Sequence, residues 1–157
     1  MSPTIRPALS ADAPRVAEVL LSSRRAFLPY AAIAHPDDDV HEWVKNVLIP
    51  STSVTVAQLD GSVVGVLATT EEDGANWITQ LYLAPAHVRL GIGTLLLRHA
   101  LSSLQPPVRL YSFQQNTGAR RFYERFGFKA IQFTDGSENE ERCPDVLYEL
   151  DIRHACA

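Results

Sequence analysis

Between Trp77 and Phe113 the chain reads as strand, glycine turn, helix, strand. Trp77 to Leu83 is rich in aromatic and β-branched residues and ends at Ala84-Pro85. The turn His87-Val88-Arg89-Leu90-Gly91-Ile92-Gly93-Thr94 then opens a helix predicted from Gly93 to Leu104, stopped before Pro106-Pro107, and Val108 to Phe113 returns to a strand. A strand–helix–strand unit has to bring its two strands side by side in parallel, through a right-handed crossover. Everything else in the chain has to be arranged around that parallel pair.

The flanking segments supply antiparallel partners. Val54 to Leu59 and Val63 to Thr69 are β-branched runs joined at Asp60-Gly61, a hairpin signal, and a Glu-Asp-Gly turn leads into Trp77. Thr4 to Ala8 offers a further strand. Ahead of the hairpin, Ser10 is placed to cap a helix from about Ala11 to Phe27, with Pro14 in its first turn and Val16, Val19, Leu20 and Phe27 at helical spacing. Val40, Trp43, Val44, Val47 and Leu48 predict a second helix over Asp38 to Leu48. After the crossover come a short helix (Thr117 to Phe126), a strand (Phe128 to Thr134), a polar loop (Asp135 to Pro144) and a last strand (Val146 to Ile152). The predicted order is βααβββαβαββ, an α+β fold.

Two segments carry chemistry. The main-chain amides of the Gly91–Gly93 turn and the start of its helix point the same way, which makes an anion cradle. Downstream, Asn116-Thr117-Gly118-Ala119-Arg120-Arg121-Phe122-Tyr123-Glu124-Arg125-Phe126-Gly127-Phe128 is an asparagine-capped helix stopped by glycine, with a tyrosine late on it. Together these motifs resemble the GNAT superfamily of acyl-CoA-dependent N-acetyltransferases, from Ile5-Arg6-Pro7-Ala8 to Gly127-Phe128. The chain departs from the usual pattern three residues before the first glycine, where Val88 stands in place of Arg or Gln and Arg89 follows.

The resemblance implies a single domain over residues 1–157, with a mixed central sheet of about six to seven strands, about four helices and a splayed central parallel pair. It also implies acetyl-CoA as co-substrate. The pyrophosphate falls on the turn Val88, Arg89, Leu90, Gly91, Ile92, Gly93 and Thr94; the pantetheine arm extends the strand at Leu81, Tyr82 and Leu83; Asn116 and Ala119 meet the arm. Asn116 as a plain helix cap satisfies the same residue type. Tyr123 matches the position of the general acid that protonates the departing thiolate, packing being its alternative role. The family's glutamate base has no counterpart, because that position is Trp77. An ordered water, a loop carboxylate or an amine already partly neutral are the options that stay open.

Composition narrows the partners. A chain of 157 residues holds one well-formed core, and no apolar run reaches the roughly 20 residues of a membrane span. No leader-like apolar stretch follows Met1, so a cytoplasmic protein without a membrane partner is expected. A formal charge of −4 argues against nucleic acid, and so against an aminoacyl-tRNA acceptor. Scattered histidines and the two cysteines Cys143 and Cys156 show no metal-ligand spacing, so no metal is expected. Both are read as free thiols.

The acceptor side is less legible. Asp135 with Glu140 and Glu141 in the polar loop, and His41 beside the Asp37 to Asp39 cluster, suggest a negative field around a cationic amine. The expected activity is transfer of an acetyl group to a primary amine of a small, cationic acceptor by direct attack. A non-catalytic acyl-CoA-binding regulatory module is the alternative. Oligomeric state is left open, a homodimer through the C-terminal strands being one arrangement.

Overall fold

The structure, a computed structural model, describes residues 2–31 and 33–151. Its elements are β1 (Thr4–Pro7), α1 (Ala13–Phe27), α2 (Asp37–Trp43), β2 (Ser53–Leu59), β3 (Ser62–Glu72), β4 (Ala75–Leu83), α3 (Ile92–Leu101), β5 (Val108–Phe113), α4 (Thr117–Arg125), β6 (Lys129–Phe133) and β7 (Asp145–Leu150). The seven strands form one sheet in the order β1-β2-β3-β4-β5-β7-β6, antiparallel except where β4 meets β5. The parallel pair inside an otherwise antiparallel sheet is what the crossover demands.

The sheet is buried deepest at β3, where every residue from Val63 to Ala68 is inaccessible. Both α1 and α3 contact that strand, which is why its sequence runs apolar rather than alternating. Gly65 allows α3 to sit close: a Cβ there would lie 2.9 Å from Leu83 and 3.0 Å from Leu96. The two hairpins turn at Asp60-Gly61 and Asp73-Gly74, all four residues at positive φ, as tight two-residue turns require.

Three local readings need correction. Ser10 does not cap α1; it lies in a 3-10 turn, and Asp12 accepts the Leu9 N–H at 2.7 Å while holding Arg6 at 2.8 and 3.0 Å. A carboxylate that takes a main-chain donor and a guanidinium together outcompetes a hydroxyl for the helix start. The hydrogen bonds from Arg6 lead in holding the Asp12 carboxyl below its ordinary range.

The second helix is not one α-helix to Leu48. It passes at Val44 into a π turn (Val44–Leu48) and a final α turn (Ile49–Ser51) containing Pro50. One extra residue in the turn ahead of the proline absorbs the clash its ring makes with a carbonyl four residues back. Val40, Val44 and Leu48 stay buried, whereas Trp43 and Val47, expected beside them, are 36% and 46% exposed. The last strand is described to Leu150, and Ile152, His154 and Cys156 lie outside the described residues. Cys143 is buried, is a free thiol, and burial pushes that thiol up.

Candidate functional site

The parallel strands β4 and β5 pair only at Asn76↔Val108 and Trp77↔Arg109. Beyond those two pairs they part, and a cavity of about 610 Å³ fills the opening between Ile78–Tyr82 and Leu110–Phe113. On one side Asn116, the cap of α4, and Ala119 and Tyr123 within it line the cavity; on the other side Arg24 of α1 and Leu28 just after it line it with Glu138, Asn139 and Glu141 of the β6–β7 loop. The opening therefore passes through the sheet, from the α4 side to the α1 side.

The turn between β4 and α3 offers unused donors. Among the described residues, no main-chain N–H from Val88 to Thr94 has an acceptor; the first bond of the helix is Leu95 N–H to the Gly91 carbonyl, 3.1 Å. Arg89 (φ 64) and Gly91 (φ 81) both lie in the left-handed region, the kind of backbone that forms concave, anion-binding runs of amides. The dipole of α3 adds positive potential there.

Helix α4 is short and held by side chains. Asn116 Oδ1 accepts the Ala119 N–H at 3.3 Å, so the cap and the cavity lining are one residue. At the other end Gly127 (φ 100) ends the helix. Tyr148, fully buried on β7, accepts from Arg120 Nε at 3.0 Å and donates to Glu124 at 2.6 Å, tying both flanks of the helix to the sheet.

Tyr123 sits between these ties, packed edge-on to Phe122 (5.4 Å) and Phe128 (5.9 Å) and tilted on Tyr148 (6.3 Å). Its hydroxyl makes no hydrogen bond to a described residue. Burial pushes its phenol up from the ordinary value, with the neighbouring Tyr82 phenol adding to the rise, so the group keeps its proton at neutral pH.

On the α1 side a second cavity of about 380 Å³ shares Arg24, Gln80 and Glu141 with the first. Its apolar wall is Leu20, Ile33, Val40 and Trp43, and its charged wall is His35, Asp39, Glu140 and Glu141. Two N–H groups of Arg24 reach Glu141 at 3.2 Å each and one also reaches the Ala31 carbonyl at 3.0 Å, so its charge is already matched. The loop that carries the glutamates is built rigidly. Asn139 donates to the Cys143 carbonyl (2.7 Å) and to Asp145 (3.1 Å) and accepts the Cys143 N–H (3.1 Å). Gly136 (φ 84) packs so close to Cys143 that a Cβ would lie 2.4 Å from its carbonyl carbon.

The acetyltransferase (GNAT) family model matches residues 17–128, most of the chain and the whole of the crossover with α4. The chain belongs to the GNAT acetyltransferase family. Solved structures share this GNAT fold: the PaiA N-acetyltransferase of Thermoplasma acidophilum, in complex with coenzyme A, is 24% identical over 97% of this chain and 100% of its own, with a TM-score of 0.75. YncA of Salmonella typhimurium, solved with its cofactor acetyl-CoA, is 22% identical over 96% of this chain and 94% of its own, TM-score 0.72. An acetyltransferase of Thermus thermophilus is 18% identical over 97% and 98%, TM-score 0.76. A comparison with curated proteins finds no significant match.

Within this GNAT frame the residues expected from sequence fall into two sets. Leu81, Tyr82, Asn116, Ala119 and Tyr123 line the first cavity, whereas Val88 to Thr94 line neither cavity and their amide run meets the rest of the site where Gly93 lies against Leu83 and Phe122. Leu83 lines neither cavity and packs toward Gly65 and Gly93 instead. Glu141 lines both cavities and Glu140 the second.

Asp135 and His41 line neither cavity. Asp135 is exposed and turns back to accept the Ser137 N–H at 2.9 Å, which holds its carboxyl below the ordinary range. His41 follows Val40 by one residue, about a quarter-turn round α2 from the face that meets the pocket. Trp77, which stands where a glutamate base would, stacks on Tyr111 at 5.7 Å.

The sequence reading missed Arg24, Ser112 and His35, and reached Asp39 only as one of the Asp37 to Asp39 cluster. Two of these left a legible signal. Arg24 lies four residues after Leu20, on the buried stripe of α1, and Ser112 occupies the inward phase of β5 shared by Val108 and Leu110. A polar residue at an apolar phase is a mark of a site.

Proposed function

We propose that the protein is an acetyl-CoA-dependent N-acetyltransferase that moves the acetyl group to a primary amine of a small cationic acceptor by direct attack, with Tyr123 as general acid. The observation that carries the reading is the opening through the sheet: one cavity joins the proton-bearing Tyr123 on the α4 side to the carboxylate-lined pocket on the α1 side. Crystallised relatives of the same fold hold coenzyme A or acetyl-CoA, which supports the donor.

The residues present fit such a donor. Free amides from Val88 to Thr94 suit a pyrophosphate, and the parted edge of β4 at Leu81 and Tyr82 suits an amide-bearing arm by strand addition. Bound acetyl-CoA supplies an acetyl group activated as a thioester. Tyr123 holds a proton at Oη for the sulfur that departs, and its raised pKa means that the proton is present at neutral pH. The close walls of the opening hold the two reactants in line, which removes most of the entropic barrier to their meeting.

Acceptor charge follows from the pocket. With Arg24 already engaged by Glu141, the remaining carboxylates are Asp39 and Glu140, the latter 3.4 Å from His35, a net negative wall facing an apolar one that includes Trp43. That combination favours an ammonium-bearing acceptor and disfavours a carboxylate. The test is a thermal-shift titration with acetyl-CoA followed by an amine panel read by thiol release. Acetyl-CoA must raise the melting temperature by mass action, and diamines must outperform ω-amino acids of equal length. Absence of any acetyl-CoA shift would remove the donor assignment; equal use of the amino acids would remove the cationic one.

A further inference from the structure

Four buried side-chain polar atoms among the described residues have no hydrogen-bond partner: Arg24 Nε, Tyr30 Oη, His87 Nδ1 and Ser112 Oγ. Ser112 stands apart from the other three because it is a small hydroxyl on a central strand, 7% exposed, and lines the opening between β4 and β5. Alanine in its place would fill nearly the same volume without the penalty of an unpaired group, which is on the order of 1–3 kcal/mol. A buried hydroxyl without a protein partner calls for one from outside the chain, and the cavity that Ser112 lines is where such a partner can enter.

Its surroundings say what that is. On β5, Ser112 shares its phase with Val108 and Leu110, and across the strand pair Leu110 faces Tyr148 while Ser112 faces Val146. Tyr123 packs on Tyr148, so Ser112 and Tyr123 line the opening from the same side of the sheet. β5 has no partner on its β4 edge at this level, because the last β4–β5 pair is Trp77↔Arg109. The opening beside Ser112 is thus the stretch through which the arm of the donor has to pass.

We infer that Ser112 is a donor-binding residue: its Oγ hydrogen-bonds the pantetheine–thioester portion of the bound acyl-CoA, as a second hydroxyl beside Tyr123 on the wall of the cleft. This rests on the acetyl-CoA reading above. It adds that the chain, having a hydroxyl at a buried strand position, is less stable when empty and binds the donor more tightly.

The two halves of that statement have opposite signs in one experiment. Ser112→Ala and the unaltered protein are compared by thermal shift and calorimetric titration, each without ligand, with acetyl-CoA, and with adenosine 3′-phosphate 5′-diphosphate, the nucleotide fragment that lacks the arm. Without ligand the variant should melt about 2–4 °C higher, since it loses an unpaired buried hydroxyl. With acetyl-CoA its affinity should be roughly tenfold weaker, about 1.4 kcal/mol. With the nucleotide fragment the two proteins should bind alike.

Equal acetyl-CoA affinity in the two proteins overturns the inference while leaving the donor reading intact. No acetyl-CoA binding by the unaltered protein overturns both. A loss of affinity that is as large for the fragment as for acetyl-CoA overturns the placement of Ser112 on the arm.

Discussion

The two sides of the sheet are built from different materials. On the α3–α4 side the site is mostly main chain: a run of free amides from Val88 to Thr94, a parted strand edge, and a helix cap. On the α1 side it is side chains from three separate segments, Arg24, His35 with Asp39, and Glu140 with Glu141, brought together by ion pairs and a braced loop. A main-chain site constrains the sequence at glycines and caps with fixed spacing. A side-chain site constrains only which charges end up near one another, and many sequences achieve that. On the proposed reading the first carries the family's common chemistry and the second this member's choice of acceptor.

The largest effect expected from testing this contrast is at Tyr123, the proposed general acid on the main-chain side. Tyr123→Phe should lower turnover by roughly 10²-fold or more with little change in acetyl-CoA affinity, because it removes a proton donor and keeps the ring. Stopped-flow measurement of the acyl-transfer step with a responsive amine checks this. Wild-type turnover in the variant would make Tyr123 a packing residue.

The pH dependence has a sign. Burial favours the neutral phenol, so the folded protein holds this proton more tightly than the unfolded chain. Its contribution to stability is full below the ordinary tyrosine value of about 10 and is lost as pH rises toward the higher folded value. The kcat profile should accordingly show no decline from Tyr123 below about pH 10. A decline near pH 8 that vanishes in Tyr123→Phe would contradict the assignment.

The next effect separates two glycines that the sequence treats alike. Gly91 has φ 81, whereas Gly93 has no such requirement and a Cβ there meets Leu83 at 3.5 Å and Phe122 at 3.7 Å, ordinary contact distances. Gly91→Ala forces a side chain into a left-handed backbone at a cost of roughly 1–2 kcal/mol and disturbs the curl of the amides. Acetyl-CoA affinity should fall about tenfold in Gly91→Ala and stay within about twofold in Gly93→Ala, by calorimetric titration. Equal losses would mean the two positions act through packing, not through the direction of the amides.

The same division explains what could be read without coordinates. The crossover, the glycine turn and the Asn116–Phe128 helix were legible because each is a local rule of backbone geometry, and the crossover sets the parallel β4–β5 pair; the place of β7 between β5 and β6 was not legible. The π turn ahead of Pro50 was not, since whether a proline ends a helix or widens it depends on what Val44 and Leu48 pack against. Nor did a count of acidic residues distinguish Asp135 from Glu140. Both sit in one polar loop, and only the Asn139 brace and the Asx turn at Asp135 decide which carboxylate faces the pocket.

That distinction gives the smallest and most specific expectation. Glu140→Gln should raise the Michaelis constant for a cationic amine several-fold and flatten its salt dependence, because an exposed carboxylate acts over a screened distance of about 8–10 Å and contributes under about 1 kcal/mol. Asp135→Asn should leave both quantities unchanged, since its carboxylate is turned onto Ser137 N–H and lines neither cavity. Acetyl-CoA affinity should be indifferent to either substitution. Steady-state kinetics at two ionic strengths decides the matter. If Asp135→Asn matches Glu140→Gln, the acceptor responds to the charge of the whole loop and not to the pocket wall. The α1 side would then select its substrate by field alone, with no contact to any one residue.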